Sequence, residues 1–228
     1  LTEAGVQFDR TALSVVAFPA DFLTACLERL RQRDGETIRA AHVLAVWDAL
    51  WQHSACGDVL FAAIEHYAPV VRKRAPPALW PVMRHWSARV DNWCHADTLA
   101  GLYTRLLGAH FDEVYPQLVA WNDAGQGEWS RRLSLTSLIR YSGKNAVFLD
   151  AAQMLPLLAN AVNDHRQGVA PALGWVLREM DRVYPDQVTR FLCRHGPRMS
   201  AVAIARAIER RPPGEREGLR RKQGPRSA

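Results

Sequence analysis

The clearest candidates for chemistry in this chain are an aromatic and an acidic residue four positions apart. Trp93 and Asp97 stand in DNWCHADTLA, and this spacing places them one turn apart on one face of a helix. A carboxylate stabilises the positive charge of an oxocarbenium-like transition state and can orient or deprotonate water. An indole presents an electron-rich face to a cationic sugar or base. The pair therefore suits cleavage of a glycosidic bond whose base is already cationic and leaves neutral.

Two further residues are candidates, and every candidate also has a purely structural interpretation. Trp93 and Asp97 would then be a core indole and an acidic residue near a helix N-terminus. Arg132, in EWSRRLSL, either binds a phosphate through its planar guanidinium or pairs on the surface with Glu128. Trp175, in LGWVLREM, either lines a groove beside a sugar or packs in the core. The remaining indoles considered are interpreted as core or packing residues: Trp86, Trp121 and Trp129.

Cysteine chemistry and metal binding are not indicated. Cys94 and His95 are adjacent, and adjacent residues of a helix point apart, so they do not form a nucleophile–base pair. The four cysteines are far apart and form no CxxC pair, which favours reduced thiols and offers no zinc ligand set. The sequence has no Gly-rich phosphate loop, HExxH or GxSxG motif. We expect no cofactor and no metal.

Helical periodicity dominates the chain and must supply the elements that position these residues. Apolar residues recur at helical spacing in segments 20–33, 38–52 and 130–141, whereas alternating runs typical of strands are scarce. Breaks rich in Pro and Gly separate such segments, at 76–77, 125–127, 142–143 and 196–197. The sequence predicts an all-α fold of about ten to twelve helices without a sheet.

A Pro that follows an apolar or aromatic residue recurs at Pro81, Pro116, Pro156 and Pro185, with spacings of 35, 40 and 29 residues. Because Pro is favoured in the first turn of a helix, each is predicted to mark the first helix of a pair. Helix pairs that repeat every 30–45 residues are typical of an α-α superhelix, or solenoid. An irregular helical bundle is the alternative.

The repeat also predicts where the candidate residues lie. Asp97 and Arg132 each follow their Pro by 16 residues, and Trp175 follows its Pro by 19. These offsets place all three in the second helix of a pair, where side chains line the concave side of a solenoid. We therefore expect a carboxylate, a guanidinium and an indole to face one shared groove.

The whole chain has a net charge of +6 and a pI near 9.5, and its basic residues are concentrated at the C-terminal end. Residues 204–228 contain eight Lys and Arg against three Glu, which suits a polyanionic partner or a solvated terminus. We predict a single repeat domain over residues 1–211 and a basic, flexible tail over 212–228. No apolar run reaches the roughly 18–20 residues of a membrane span, and the first residues lack a signal-peptide pattern.

Three segments carry a resemblance to a known family: VDNWCHAD (90–97), WNDAGQGEWSRRLSL (121–135) and LGWVLREMDRVYP (173–185). In this order they resemble the DNA alkylation repair family of HEAT-like repeat proteins, the AlkD-like glycosylases. The resemblance implies a catalytic Asp97, groove indoles at Trp93 and Trp175, and a groove guanidinium at Arg132. Cys94-His95 and Asn92 depart from the best-known active members, which carry other residues there.

The resemblance also implies the substrate and the partner. Active members excise 3-methyladenine and 7-methylguanine without turning the base into a deep pocket, unlike most glycosylases. The partner is then double-stranded DNA with alkylated bases, bound by a monomeric cytoplasmic protein that is nucleoid-associated in a bacterium and has no membrane contact. Arg131, Arg178 and Lys144 are the further candidates for phosphate contacts.

Two other functions remain open on the sequence. A non-catalytic binder of damaged or branched DNA would bind DNA through the same groove and release no base. A protein-binding scaffold would have no DNA affinity at moderate salt, and the nearly neutral body of the chain keeps this alternative open. The aligned Trp, Asp and Arg side chains favour the glycosylase.

Overall fold

The computed structural model describes residues 40–140 and 146–221. Within these two ranges the regular structure is helical, with eleven α-helices and no strand; one isolated β-bridge pairs Ile139 with Val147. The all-α prediction is confirmed. The periodic segment 20–33 lies outside the described residues.

The helices and the two compact units of the chain have the following bounds. The α-helices are α1 (Ala40–His53), α2 (Gly57–Lys73), α3 (Trp80–Met83), α4 (Trp93–Ala109), α5 (Phe111–Trp121), α6 (Glu128–Thr136), α7 (Ala151–Asn160), α8 (Val169–Met180), α9 (Pro185–His195), α10 (Ala201–Ala207) and α11 (Pro213–Arg221). Short 3-10 helices span Pro77–Leu79, Arg84–Arg89 and Gly196–Arg198. The compact units are Leu1–Leu106 and Leu107–Ala228. A single domain over 1–211 and a flexible tail stay predictions, and α11 lies within the segment assigned to the tail.

The repeated prolines mark helix starts in two of their four positions. Pro185 is the first residue of α9 and Pro81 the second residue of α3, as predicted. Pro116 and Pro156 lie inside α5 and α7, each as the sixth residue, so the first-turn prediction is wrong for them. Their helices begin earlier because other residues set the N-terminus.

The start of α7 is set by a reciprocal cap. The Asp150 side chain accepts a hydrogen bond from the Gln153 backbone, and the Gln153 side-chain oxygen accepts one from the Asp150 N–H at 3.0 Å. These bonds satisfy donors that the first turn leaves without helical partners. Helix α5 instead begins at Phe111 and has Asp112 and Glu113 in its first turn, where negative charges interact favourably with the helix dipole.

Stacked indoles form the centre of the first unit. The Trp51 and Trp86 rings stack with centroids 4.6 Å apart, and both side chains are fully buried. Trp51 Nε1 donates to the Trp86 carbonyl at 3.0 Å, and Trp86 Nε1 donates to Asp48 Oδ1 at 2.8 Å. The predicted core role of Trp86 is confirmed. These contacts join α1 to the 3-10 helix that precedes α4.

Arg89 strengthens the same junction. Its guanidinium donates to the backbone carbonyls of Trp51, Gln52 and Ser54, at the C-terminus of α1. A cation near this end of a helix also interacts favourably with the helix dipole. Arg89 therefore joins the segment before α4 to α1.

A glycine allows two helices of the second unit to approach each other closely. Helix α8 packs against α6 and α10. A Cβ atom on Gly174 of α8 would lie 2.3 Å from the Ala203 carbonyl oxygen of α10, so no larger side chain fits. The contact sets the distance between α8 and α10 at the residue before Trp175.

Candidate functional site

The two residues with the predicted chemistry lie at the start of α4. Trp93 is its first residue, and Asp97 follows one turn later. Trp93 is 38% exposed, whereas Asp97 is only 6% exposed. The indole is therefore open to a ligand while the carboxylate is largely withdrawn from water. An indole packed in the core, the structural alternative for Trp93, does not fit this exposure.

Asn92 caps the helix that carries this pair. Its Oδ1 atom accepts a hydrogen bond from the His95 backbone N–H at 3.0 Å. Its Nδ2 atom donates to Asp91 Oδ1 at 2.8 Å and lies 2.7 Å from His95 Nδ1. Asn is among the preferred residues at this position because its carbonyl satisfies a donor of the first turn. The cap thus sets where α4 begins and places Trp93 at its first position.

His95 is buried directly behind this cap. The residue is 2% exposed, and its ring lies 4.5 Å from the Phe61 ring of α2, centroid to centroid. Burial lowers the pKa of His95 below its ordinary value, although Asp91, a hydrogen bond with the Gly57 backbone and Asp58 act in the opposite direction. The neutral ring is therefore favoured, and the ring contacts two helices of the first unit.

Arg132, on α6 in the second unit, holds the backbone that leads into α8. Its Nη1 atom donates to the Gly168 carbonyl at 2.7 Å, and the Gly168 N–H donates to the Glu128 carboxylate. Arg132 and Glu128, which are four residues apart on α6, thus bind the carbonyl and the N–H of the same residue, Gly168. Arg132 is 7% exposed, so it is not the surface residue that its structural alternative assumed.

Trp175 lies in the middle of α8, immediately after Gly174. Its side chain is half-buried. The Gly174 contact with α10 and the Gly168 contact with α6 determine the position of α8 on both sides. The orientation of Trp175 therefore depends on the contacts of α8 with both α6 and α10.

Arg131 was predicted as a phosphate contact, and the structure places it in a buried ion pair. Its Nη1 atom lies 2.5 Å from Asp164 Oδ2, and the residue is 4% exposed. Its Nε and Nη2 atoms donate to the carbonyls of Asn122 and Asn160, at 3.1 and 2.9 Å. Because all three guanidinium nitrogens have protein acceptors, this geometry favours a structural role for Arg131.

Asp164 is the centre of that network. Arg166 donates to both of its oxygens, at 2.9 and 2.5 Å, in addition to the contact from Arg131. Burial raises the pKa of Asp164, but the hydrogen bonds from Arg166 and the charges of both arginines outweigh it, and the pKa lies below its ordinary value. The carboxylate is thus held ionised between two guanidinium groups.

Of the other two predicted phosphate contacts, the structure describes Arg178. Arg178 donates to Glu209 at 2.9 Å and to Glu179 at 3.0 Å, and its side chain is 14% exposed. It is therefore engaged with carboxylates in the second unit. Lys144 lies outside the described residues.

Polar side chains line one cavity of the second unit, and of the predicted site residues only Arg131 is among them. The cavity has a volume of about 370 Å³ and includes Arg131, Asp164 and Arg166 in its wall. An apolar groove of about 470 Å³ between α7 and α9 contains Phe191 with Arg190 and Arg194. Within the described part of the chain, no group of three or more His, Cys, Asp or Glu could hold a metal ion.

The placement in second helices is confirmed for three residues, since Asp97 lies in α4, Arg132 in α6 and Trp175 in α8. The structure brings Trp93 and Asp97 together in the first unit and places Arg132 and Trp175 in the second. The shared groove remains a prediction. None of the helices in the two described ranges is long and apolar enough to cross a membrane.

Sequence reasoning missed the residues that support the candidates: Asn92, His95, Gly168 and Asp164. One of these left a usable signal. Asn92 precedes a helix as a preferred capping residue. Asp164 and Gly168 left none, because their partners stand more than 30 residues away in the sequence.

Comparison with known proteins adds a family to this geometry. Residues 25–210 match the family model described as DNA alkylation repair enzyme. A solved structure from Enterococcus faecalis, described as a predicted DNA alkylation repair enzyme, superposes with a TM-score of 0.67 at 14% identity, over 89% of this chain and 90% of that chain. This likeness concerns the fold, and it agrees with the predicted α-α superhelical class. No curated protein sequence matches the chain.

Proposed function

The chain belongs to the DNA alkylation repair enzyme family, and from this premise we propose that it is a glycosylase that releases cationic alkylated purines from double-stranded DNA. Its substrates are of the 3-methyladenine and 7-methylguanine type. The observation that carries the proposal is the pairing of an open indole, Trp93, with a withdrawn carboxylate, Asp97, one turn apart on α4.

Asp97 supplies the chemistry in this proposal. The bond between C1′ and the purine nitrogen breaks with its electron pair going to the base, which is cationic in the substrate and leaves neutral. The sugar acquires oxocarbenium character, which a carboxylate stabilises. Water then adds to C1′, and Asp97 accepts its proton. Because the leaving base needs no proton, a single carboxylate is sufficient and no general acid is required.

The other three residues bind DNA in this proposal. The exposed indole of Trp93 packs against the deoxyribose and offers its π face to the developing cation. Trp175 makes an equivalent contact, and Arg132 contacts the backbone near the lesion with a guanidinium whose direction is set by the Gly168 carbonyl. Other Lys and Arg side chains bind phosphates, so we expect the affinity for DNA to fall steeply with added salt.

The deciding measurement is release of free base from methylated duplex DNA by the wild-type protein and by Asp97→Asn. The control variant is Asp112→Asn, which removes an exposed carboxylate from the first turn of α5. We expect wild type and the control to release 3-methyladenine and 7-methylguanine. Asp97→Asn should release neither base above background while its DNA affinity, measured by fluorescence anisotropy, stays close to that of wild type.

Two results would contradict this function. Full activity of Asp97→Asn would remove the carboxylate from the mechanism. Tight DNA binding by wild type without any base release would instead assign the chain to the non-catalytic binders of damaged DNA.

A further inference from the structure

We propose that His95 is a positioning residue: its neutral ring, with the proton on Nε2, maintains the first turn of α4 and thereby the orientation of Trp93 and Asp97. The effect of His95 on catalysis rests on the proposed function. The effect of His95 on the structure of α4 does not, so separate measurements test the two effects.

The Asn92 amide determines which nitrogen of His95 carries the proton. Two partners set the orientation of this amide, because Oδ1 accepts from the His95 backbone N–H and Nδ2 donates to Asp91. An amide nitrogen can only donate hydrogen bonds. Since Asn92 Nδ2 lies 2.7 Å from His95 Nδ1, Nδ1 is the acceptor and carries no proton.

The ring also connects α4 to α2. With Nδ1 as the acceptor, Nε2 carries the proton of the neutral ring, and the Gly57 backbone is among the groups that act on this ring. Gly57 is the first residue of α2, and Phe61, one turn later, packs on the ring. The neutral ring thus accepts from the Asn92 cap through Nδ1 and packs against α2 through Phe61.

A second proton would break this arrangement. It would place two donors, His95 Nδ1 and Asn92 Nδ2, 2.7 Å apart. Two carboxylates face the ring: Asp91, whose Oδ1 lies 3.7 Å from Nδ1, and Asp58 of α2. A protonated ring would therefore exchange Asn92 for Asp91. Asn92 would have to turn, and the cap on the His95 N–H would be lost.

The reacting residues lie close enough to the cap to be affected. Trp93 precedes His95 by two positions and Asp97 follows it by two, so both belong to the first two turns of α4. Loss of the cap loosens this part of the helix because the first donors lose their acceptor. Small displacements of a group that acts on the reacting atoms reduce catalysis strongly.

Three variants separate the roles of the ring. His95→Asn offers an acceptor near the position of Nδ1 and removes the ring that packs on Phe61. His95→Phe retains a ring of similar size and removes the acceptor of the Asn92 amide. The control is His53→Gln, which replaces an exposed histidine at the end of α1 in the same unit.

The first measurement needs no catalytic activity. In the wild-type protein at pH 7.5, ¹⁵N NMR of the His95 ring should show Nδ1 unprotonated and Nε2 protonated. Amide hydrogen exchange at His95 should accelerate in His95→Phe, accelerate less in His95→Asn and stay unchanged in His53→Gln. A proton on Nδ1, or unchanged exchange in His95→Phe, would overturn the proposal.

The second measurement is base release between pH 7.5 and 5.5. We expect His95→Phe to lower kcat roughly tenfold to a hundredfold with little change in KM for DNA, because positioning and not binding is lost. His95→Asn should recover part of that loss, and the fall of kcat that accompanies ring protonation in wild type should be absent from both variants. Wild-type kcat in His95→Phe would contradict the proposal.

The two proposals fail in distinguishable ways. If wild type releases no base at any pH, the glycosylase function is lost, while the ring ¹⁵N shifts and the exchange at His95 still decide the role of the histidine. If wild type is active but its His95 ring is protonated on Nδ1, only the positioning role is lost.

Discussion

Two regions that hold candidate residues are built on different kinds of interaction. At the start of α4, hydrogen bonds among Asp91, Asn92 and a histidine kept neutral by burial hold the first turn. At the junction of α6 and α8, charged groups act on the chain, with Asp164 ionised between Arg131 and Arg166. The first region requires that His95 Nδ1 carries no proton, whereas the second requires that Asp164 and its two arginines are charged.

This difference predicts what each region tolerates. Loss of one hydrogen bond from a polar network lowers the free energy of unfolding only a little, because each bond contributes about 1 kcal/mol net. Removal of one partner of a buried ion pair lowers it much more, since the other partner is left as an uncompensated charge. The substitutions below test this difference, from the largest expected effect to the smallest.

Asp164→Ala should have the largest effect on stability. It leaves Arg131 buried without its counter-ion, which costs about 3–5 kcal/mol in comparable buried pairs. The measurement is the free energy of unfolding from denaturant titration. The control is Glu215→Ala, whose side chain is 59% exposed and lies 3.8 Å from Arg211; we expect a change below about 1 kcal/mol there. Equal losses in the two variants would mean that the Arg131–Asp164 pair does not have the energetics of a buried pair.

Gly174→Ala should follow, because its new methyl group would meet the Ala203 carbonyl oxygen. Overpacking of this kind costs about 1–3 kcal/mol. Gly101→Ala is the matched control, since it adds the same methyl group inside α4 where nothing lies within 4 Å; this change should stabilise the protein by up to about 1 kcal/mol. Thermal unfolding of both variants gives the sign of each effect. Stabilisation by Gly174→Ala would show that α8 and α10 are free to move apart.

Asn92→Ala should cost about 1 kcal/mol through loss of the cap on α4. Asn92→Ser retains an oxygen that can accept from the His95 N–H but has no amide donor for His95 Nδ1, so it separates the two functions of the side chain. Denaturant titration measures the stability, and base release reports on Asp97. A Ser variant with full stability but reduced kcat would assign the amide–ring contact a role beyond capping.

The two regions should also lose their stabilising contacts at different pH values, the start of α4 below pH 6.5 and the network of Asp164 only below pH 3.8. His95 has a folded pKa below its ordinary value of 6.5, so its contribution is complete above that value and declines as the pH falls below it. Asp164 has a folded pKa below its ordinary value of 3.8, so its contribution is retained until the pH falls below that value. Amide protection factors, which are corrected for the intrinsic pH dependence of exchange, should fall in the first turn of α4 before they fall in α6 and α8 when measured at pH 7.5, 5.5 and 4.5. The reverse order would contradict the assignment of a neutral and an ionised network.

Local signals in the chain were sufficient for part of the fold and of the candidate site. Helical periodicity located α1 and α6, and the four-residue spacing placed Trp93 and Asp97 on one helix. Positions of the repeated prolines were less reliable, because Asp150 with Gln153 determines the start of α7 and leaves Pro156 in its interior. The role of Arg131 was also beyond local reasoning, since its partner Asp164 is 33 residues away.

By itself the sequence determined the helical class and the presence of an indole and a carboxylate one turn apart on α4. These properties depend on residues within a few positions of each other, and helix geometry converts their spacing directly into a common face. Only the tertiary structure decided that Trp93 is open and Asp97 withdrawn, that Arg132 holds Gly168, and which nitrogen of His95 accepts a hydrogen bond. Such properties depend on groups brought together by packing, and no sequence spacing records the direction in which a side chain meets a neighbouring helix.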